Sequence, residues 1–241
     1  VKRGSFERFL ITLSKREGTR YNFIFVFEQE PPAWLKEELI NAGARIDWIS
    51  MRRNLRGFSE LDSLVEKYRP DIVHLHFFSL LSPFIPYLRW RHGLRLVNHI
   101  HNFEIPRTGI SSLLVPLRKY VAAKSVHHAL SVSEFVRRKT ASQLPFRDGQ
   151  LISVVNGVEI PDLDKPDIDI RSFIGIPNGK IIIFAAAWLH KAKGFHVLIQ
   201  SLPEIYNEFS EKVVMIIAGD GPEMHNLKVL AESLGINDKV I

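Results

Sequence analysis

Short runs rich in Ile, Val and Phe alternate along almost the whole chain with longer segments whose apolar residues recur at helical spacing, and few folds accept that rhythm. Strands that are apolar at nearly every position must be covered on both faces, which is the habit of a parallel sheet built from βα units. The pattern predicts strands over residues 22–28, 44–49, 72–76, 95–99, 129–132, 152–155, 181–186 and 213–218. Between them it predicts helices over 6–15, 33–41, 60–67, 111–123, 134–142, 195–209 and 222–234, with Ser59 and Ser133 as N-caps. The fold class is therefore α/β.

One stretch breaks the rhythm. Residues 157–179 hold Pro161, Pro166, Pro177 and the acidic run from Asp162 to Asp169, and read as a linker that leads through a short helix at 170–174 into a second domain. The expected organisation is a first domain over 1–160, a linker over 161–179 and the start of a second domain over 180–241. A helix beginning near Ser5 with no strand before it leads us to expect that the first domain lacks its first strand. Two full strands and the beginning of a third at 238–241 lead us to expect an incomplete second domain, since two or three strands cannot cover their helices.

Composition removes whole classes of function. The 241 residues include no cysteine, so a disulfide framework or a thiolate metal or redox site is excluded. The longest apolar stretch, 77–88, is about 12 residues and carries Pro83 and Pro86, well short of the roughly 20 that span a bilayer. Neither a spanning segment nor a signal peptide is expected. The net charge of +6 is uneven: residues 1–160 carry 24 Lys and Arg against 15 Asp and Glu, the rest 8 against 11. A basic first part points to a phosphorylated substrate or an anionic membrane surface, or serves solubility alone. A basic stripe interleaved with aromatics is not evident, so no nucleic acid is expected.

Three local patterns suit anion binding, and each reads equally as ordinary turn chemistry. Gly4-Ser5 stands at a helix entry, where backbone N–H groups and the dipole favour an anion. Gly219-Asp220-Gly221-Pro222 follows an apolar strand and opens a helix, at the sheet edge where open α/β folds bind ligands. Lys191-Ala192-Lys193-Gly194 lies between a strand and a helix, where a lysine can hold a diphosphate as a point charge.

Seven of the ten histidines fall between His74 and His128. His74/His76 and His99/His101 are i,i+2 pairs at strand ends, so each pair faces one way at the carboxyl edge. With no cysteine beside them, we expect a polar cleft with one functional histidine rather than a metal site. The acidic pairs Asp162/Asp164 and Asp167/Asp169 lie in the linker and read as solvated charge. Gly-x-Ser-x-Gly and Walker-type loops are absent, which removes the common serine hydrolase and NTPase readings.

Seven motifs stand in order along the chain: Gly4-Ser5-Phe6-Glu7-Arg8; Arg69-Pro70-Asp71-Ile72-Val73-His74-Leu75-His76; Leu96-Val97-Asn98-His99-Ile100-His101-Asn102; Ser131-Val132-Ser133-Glu134; Val155-Asn156-Gly157-Val158-Glu159; Lys193-Gly194-Phe195; and Ala218-Gly219-Asp220-Gly221-Pro222. Together they resemble the family-4 type glycosyltransferases of the GT-B fold.

The resemblance implies two Rossmann-like domains across a cleft, an acceptor held by the first and a nucleotide-sugar donor held mainly by the second. It implies transfer with retention and neither a metal nor a cofactor. Carried over, His101 is the catalytic histidine that meets the transferred sugar. Gly4, Ser5, Lys193, Gly219 and Gly221 bind the donor, and His76, Asn102, Asn156 and Trp188 line the cleft. The implied setting is cytoplasmic, at the inner face of the membrane, with a glycan or lipid-linked acceptor of cell-envelope or exopolysaccharide assembly.

Trp188 stands where the family usually has an arginine, and Ser5 where it has a second glycine. The paired glutamates that hold the donor in the family are not among these residues, so the 241 residues alone are expected not to transfer. A nonhydrolysing sugar-nucleotide epimerase and a catalytically silent GT-B-like binding protein are the alternatives.

Overall fold

The computed structural model describes residues 4–50, 54–102, 115–157, 169–209 and 212–240. The chain divides into two units, Val1–Ile160 and Pro161–Ile241. The first runs α1 (Ser5–Glu17), β1 (Ile24–Phe27), α2 (Ala33–Asn41), β2 (Arg45–Trp48), α3 (Leu55–Tyr68), β3 (Ile72–His76), α4 (Phe84–His92), β4 (Arg95–Ile100), α5 (Val115–Ser125), β5 (His128–Ser131), α6 (Glu134–Ala141) and β6 (Leu151–Ser153). The second runs α7 (Ile170–Ile174), β7 (Ile181–Ala186), α8 (Phe195–Phe209), β8 (Val213–Ala218) and α9 (Met224–Ser233).

Every strand pair is parallel. β1 pairs with β2, the order β3-β4-β5-β6 makes a four-stranded sheet, and β7 pairs with β8. A parallel bridge from Val240 to Met215 adds a contact beside β8, where the sequence suggests a third strand. In the first unit the four-stranded sheet packs Leu75, Leu96, Ile100 and Ala129 against Phe84, Ile85 and Leu88 of α4. The β1–β2 pair is covered through Leu10 of α1 and Leu35 and Leu39 of α2. Asp47 on β2 accepts hydrogen bonds from Lys67 Nζ at 2.8 Å and Tyr68 Oη at 3.0 Å, which ties the end of α3 to this pair. In the second unit Ile199, Leu202 and Tyr206 of α8 pack on Val213 and Met215.

Two helices depart from expectation. α4 lies in the apolar stretch carrying Pro83 and Pro86, where no helix is predicted; Pro83 is its N-cap and Pro86 its third residue. In a first turn the backbone N–H groups lack intrahelical acceptors, so proline removes nothing there. α3 starts at Leu55 rather than Glu60, because the Asn54 side chain caps it by accepting from Gly57 N at 3.1 Å. Ser59 is therefore inside the helix, whereas Ser133 caps α6 as expected, accepting from Val136 N at 3.2 Å. Of the linker, 158–168 lies outside the described residues, as does 111–114 of the predicted fifth helix. Asp169 caps α7, accepting from Arg171 N at 3.0 Å and Ser172 N at 3.3 Å.

Leu96 is fully buried at the middle of the four-stranded sheet. Leu96→Ala should cost about 2–5 kcal/mol, the sum of lost transfer energy and an unfilled cavity. Denaturant unfolding measures this, and a loss under about 1 kcal/mol would mean the core can collapse around the gap.

Candidate functional site

The register of β3 and β4 sets His76 opposite His99. Because side chains alternate along a strand, His74, His76, His99 and His101 share one face, while Leu75, Leu96 and Asn98 take the other, buried one. The rings gather closely. His74 stacks on His99 at 5.5 Å with an interplanar angle of 2°, and His99 lies 4.7 Å from His101 by ring centroids. His76 Nδ1 and His101 Nε2 are 3.1 Å apart, so one ring donates and the other accepts. Ring nitrogens of His74, His76 and His99 all lie within 4.8 Å of one another.

Crowding and burial keep these rings uncharged. Burial, with His74, His99 and His101 nearby, pushes His76 down to about 3. The same causes bring His99 down to about 4, and burial lowers His74 and His101 from the ordinary 6.5. At neutral pH the edge presents neutral imidazoles, able to donate at one nitrogen and accept or ligate at the other.

The other three histidines of the run serve elsewhere. His92 pairs through Nε2 with Asp62 at 2.6 Å, and His127 Nδ1 accepts from Leu96 N at 3.1 Å. His128 is exposed at the amino end of β5.

Beside His101, a cavity of about 220 Å³ is walled by Asn98, His99, Asn102, Phe77 and Thr140. Phe77 was not anticipated. Its backbone takes φ +56, a left-handed conformation unusual outside glycine, and its ring stacks on His101 at 4.0 Å and 20°. Phe6, on α1, meets the His101 ring edge-on at 5.7 Å. Gly4 is the N-cap of α1 and Ser5 its exposed first residue. The Glu7 carboxylate folds back to where a Cβ on Gly4 would stand, giving the helix dipole a negative partner. Asn156 is exposed in the segment that follows β6.

The second unit holds the remaining candidates. A 3₁₀ turn at Lys191–Lys193 leads into α8, and its N-cap His190 accepts from Ala192 N at 3.3 Å through Nδ1. Trp188 stacks on that same His190 ring at 4.9 Å and 17°. Lys193 itself is exposed. Gly219 and Gly221 are needed for close approach: a Cβ at 219 would strike the Ala187 carbonyl, and one at 221 would lie 2.8 Å from Leu189 backbone atoms. Leu189 N donates to Asp220 O at 2.9 Å and Glu223 N to Leu189 O at 3.1 Å, so the two loops at the carboxyl ends of β7 and β8 are knit together.

The chain is similar to known proteins in sequence and in fold. The model of Glycosyltransferase Family 4 matches residues 7–160, and that of Glycosyl transferases group 1 matches residues 167–241. The alpha-monoglucosyldiacylglycerol synthase of Streptococcus pneumoniae is 24% identical over 199 residues, covering 77% of this chain and 44% of that protein. A glycosyltransferase from Rickettsia africae superposes with a TM-score of 0.75 at 17% identity, covering 100% of this chain and 65% of that one. Anabaena HepE, solved in complex with UDP-glucose, gives 0.68 at 17%, covering 99% and 65%. At such identities the structural likeness speaks for the GT-B fold alone, and the chain spans less than half the length of the curated relative. The family model, in contrast, takes in nearly all of the first unit, including the β3 and β4 edge with its histidines, and on that match the chain belongs to glycosyltransferase family 4.

Proposed function

We propose that the complete protein moves a hexose-type sugar from a nucleotide-sugar donor to a glycan or lipid-linked acceptor, with retention, in cell-envelope or exopolysaccharide assembly. The observation that carries this reading is a neutral His101 at the carboxyl end of β4, opening on a cavity of about 220 Å³. In the reaction the bond from the sugar to the diphosphate breaks, a bond forms to an acceptor hydroxyl oxygen, and the proton of that hydroxyl passes to the departing phosphate. Negative charge grows on the departing phosphate, which a cation such as Lys193 would stabilise. His101, uncharged, would hold a hydroxyl of the transferred sugar. Residues 1–160 then form the acceptor-side domain, 161–179 the linker, and 180–241 belong to the donor-binding domain. The UDP-glucose held by HepE and the diacylglycerol-linked product named for the pneumococcal relative support a nucleotide donor and a lipid acceptor. A panel of nucleotide sugars separates this reading from its rivals: transfer supports it, inversion at C2 marks an epimerase, and inertness marks a binding protein.

His101→Ala in the complete protein should lower kcat by roughly 100-fold or more, and an unchanged kcat in a folded variant would remove His101 from the site. Because burial lowers its pKa, the neutral form is retained below 6.5. Activity that depends on it should therefore be full at neutral pH and fall only as pH drops through that lowered value. An acid limb with its midpoint at or above 6.5 would contradict the assignment.

Lys193→Ala should weaken nucleotide diphosphate binding by about 1.5–3 kcal/mol, the scale of a hydrogen bond to a charged group. Calorimetry reads this directly, and equal affinity in both proteins would exclude the lysine from the donor site.

No helix among the described residues is long and apolar enough to cross a membrane. The basic excess of the first 160 residues would instead draw the protein to an anionic surface carrying its acceptor, at about 1 kcal/mol per suitably placed cation. Cosedimentation with anionic but not neutral vesicles, weakening as salt rises, is the expected result. Indifference to lipid charge would leave the excess as a solubility feature.

A further inference from the structure

His99 presents an imbalance that sugar transfer does not resolve. It is 6% exposed, and neither of its ring nitrogens has a hydrogen-bond partner among the described residues. A buried polar group left without a partner is costly and rare, so such a ring points to something that completes it. Two further imidazoles stand against it, with the ligand nitrogens of His74, His76 and His99 within 4.8 Å of one another. We propose that these three histidines form a binding site for one divalent transition-metal ion of the zinc, nickel or copper kind.

The donor set decides the class of ion. Imidazole nitrogen suits zinc, copper and nickel, whereas magnesium and calcium want oxygen, and the cluster contains none. Metal–nitrogen bonds of about 2.0–2.1 Å require the three nitrogens to draw together slightly, which ring rotation about the side-chain torsions supplies. Three nitrogens leave a fourth position open to water or another ligand. The scaffold is rigid, since the rings project from paired strands in register. The residue at 74 reaches the surface while its ring packs against His76 and His99, which gives the ion a path in.

The remaining nitrogen of His76 links the ion to the sugar site. His76 faces His101 through Nδ1 at 3.1 Å, which leaves Nε2 to coordinate. With Nε2 on the metal, Nδ1 carries the hydrogen and donates to His101 Nε2, the supporting contact that metal-bound histidines commonly make. Occupancy thus fixes which nitrogen of His101 is an acceptor.

The test uses untagged protein treated with EDTA and titrated with Zn²⁺, Co²⁺ and Mg²⁺. We expect one equivalent of Zn²⁺ to bind, Co²⁺ to give the visible absorption of a low-coordinate nitrogen site, and Mg²⁺ not to compete. His99→Gln should weaken Zn²⁺ binding by more than the roughly 10- to 100-fold that loss of a supporting hydrogen bond costs. His74→Gln, at an exposed position that does not threaten folding, should do the same, and His128→Ala should leave binding unchanged. Absence of stoichiometric Zn²⁺ binding, or binding that survives His74→Gln, would overturn the proposal. None of these readouts depends on glycosyl transfer, so failure of either reading leaves the other standing.

Discussion

The pairing of β3 with β4 is the constraint from which the site follows. Side chains alternate with a period of two, so slipping either strand by one residue would turn its buried residues outward and its histidines inward. Leu75 and Leu96 are buried against α4, and that burial holds the register. Once it is fixed, His76 must lie opposite His99, and His74 and His101 must extend the same face. The histidine edge is a consequence of the hydrophobic packing behind it.

That arrangement also sets the electrostatics. Four imidazoles so close cannot share several protons, because each charge raises the cost of the next and partial burial penalises all of them. The outcome is a neutral surface at the carboxyl edge, which suits hydroxyl recognition better than phosphate recognition. Cations that would meet a diphosphate lie elsewhere in the chain: Lys193 follows the close-packed loops of the second unit, where Gly219 and Gly221 let the β8 turn approach Leu189. On the proposed reading, polar readout and charge neutralisation fall to different segments of the sequence.

Much of the fold was legible because apolar runs report burial directly. β3, β7, β8, α2, α7 and α8 run as the spacing predicts, and the other strands shift by a residue or two at their ends. α4 was not legible: proline argues against helix in general, and only its place in the first turn makes it harmless. The early start of α3 was hidden because Asn54 acts through its side chain, ahead of Gly57, which weakens the helical signal. The i,i+2 spacing announced that His74, His76, His99 and His101 face one way. It could not show that the two pairs stand side by side while His92 and His127 are occupied elsewhere, since that depends on which strands are neighbours. Phe77 gave no signal at all, because its left-handed backbone is imposed by the turn after β3. The structural reason for Gly219 and Gly221 likewise emerges only from the adjacent loop.

The central claim is that a neutral histidine edge, in which His76 is bonded to His101, meets the sugar of a nucleotide donor. Nitrogen-15 spectra of the imidazole rings in the complete protein test it most directly, because they report protonation and tautomer ring by ring. The account predicts four neutral rings at pH 7, the same tautomer on His76 and His101 because Nδ1 of one faces Nε2 of the other, and displacement of the His101 signals when UDP-glucose is added. A protonated imidazolium at any of the four, or His101 signals indifferent to UDP-glucose and to other nucleotide sugars, would contradict it.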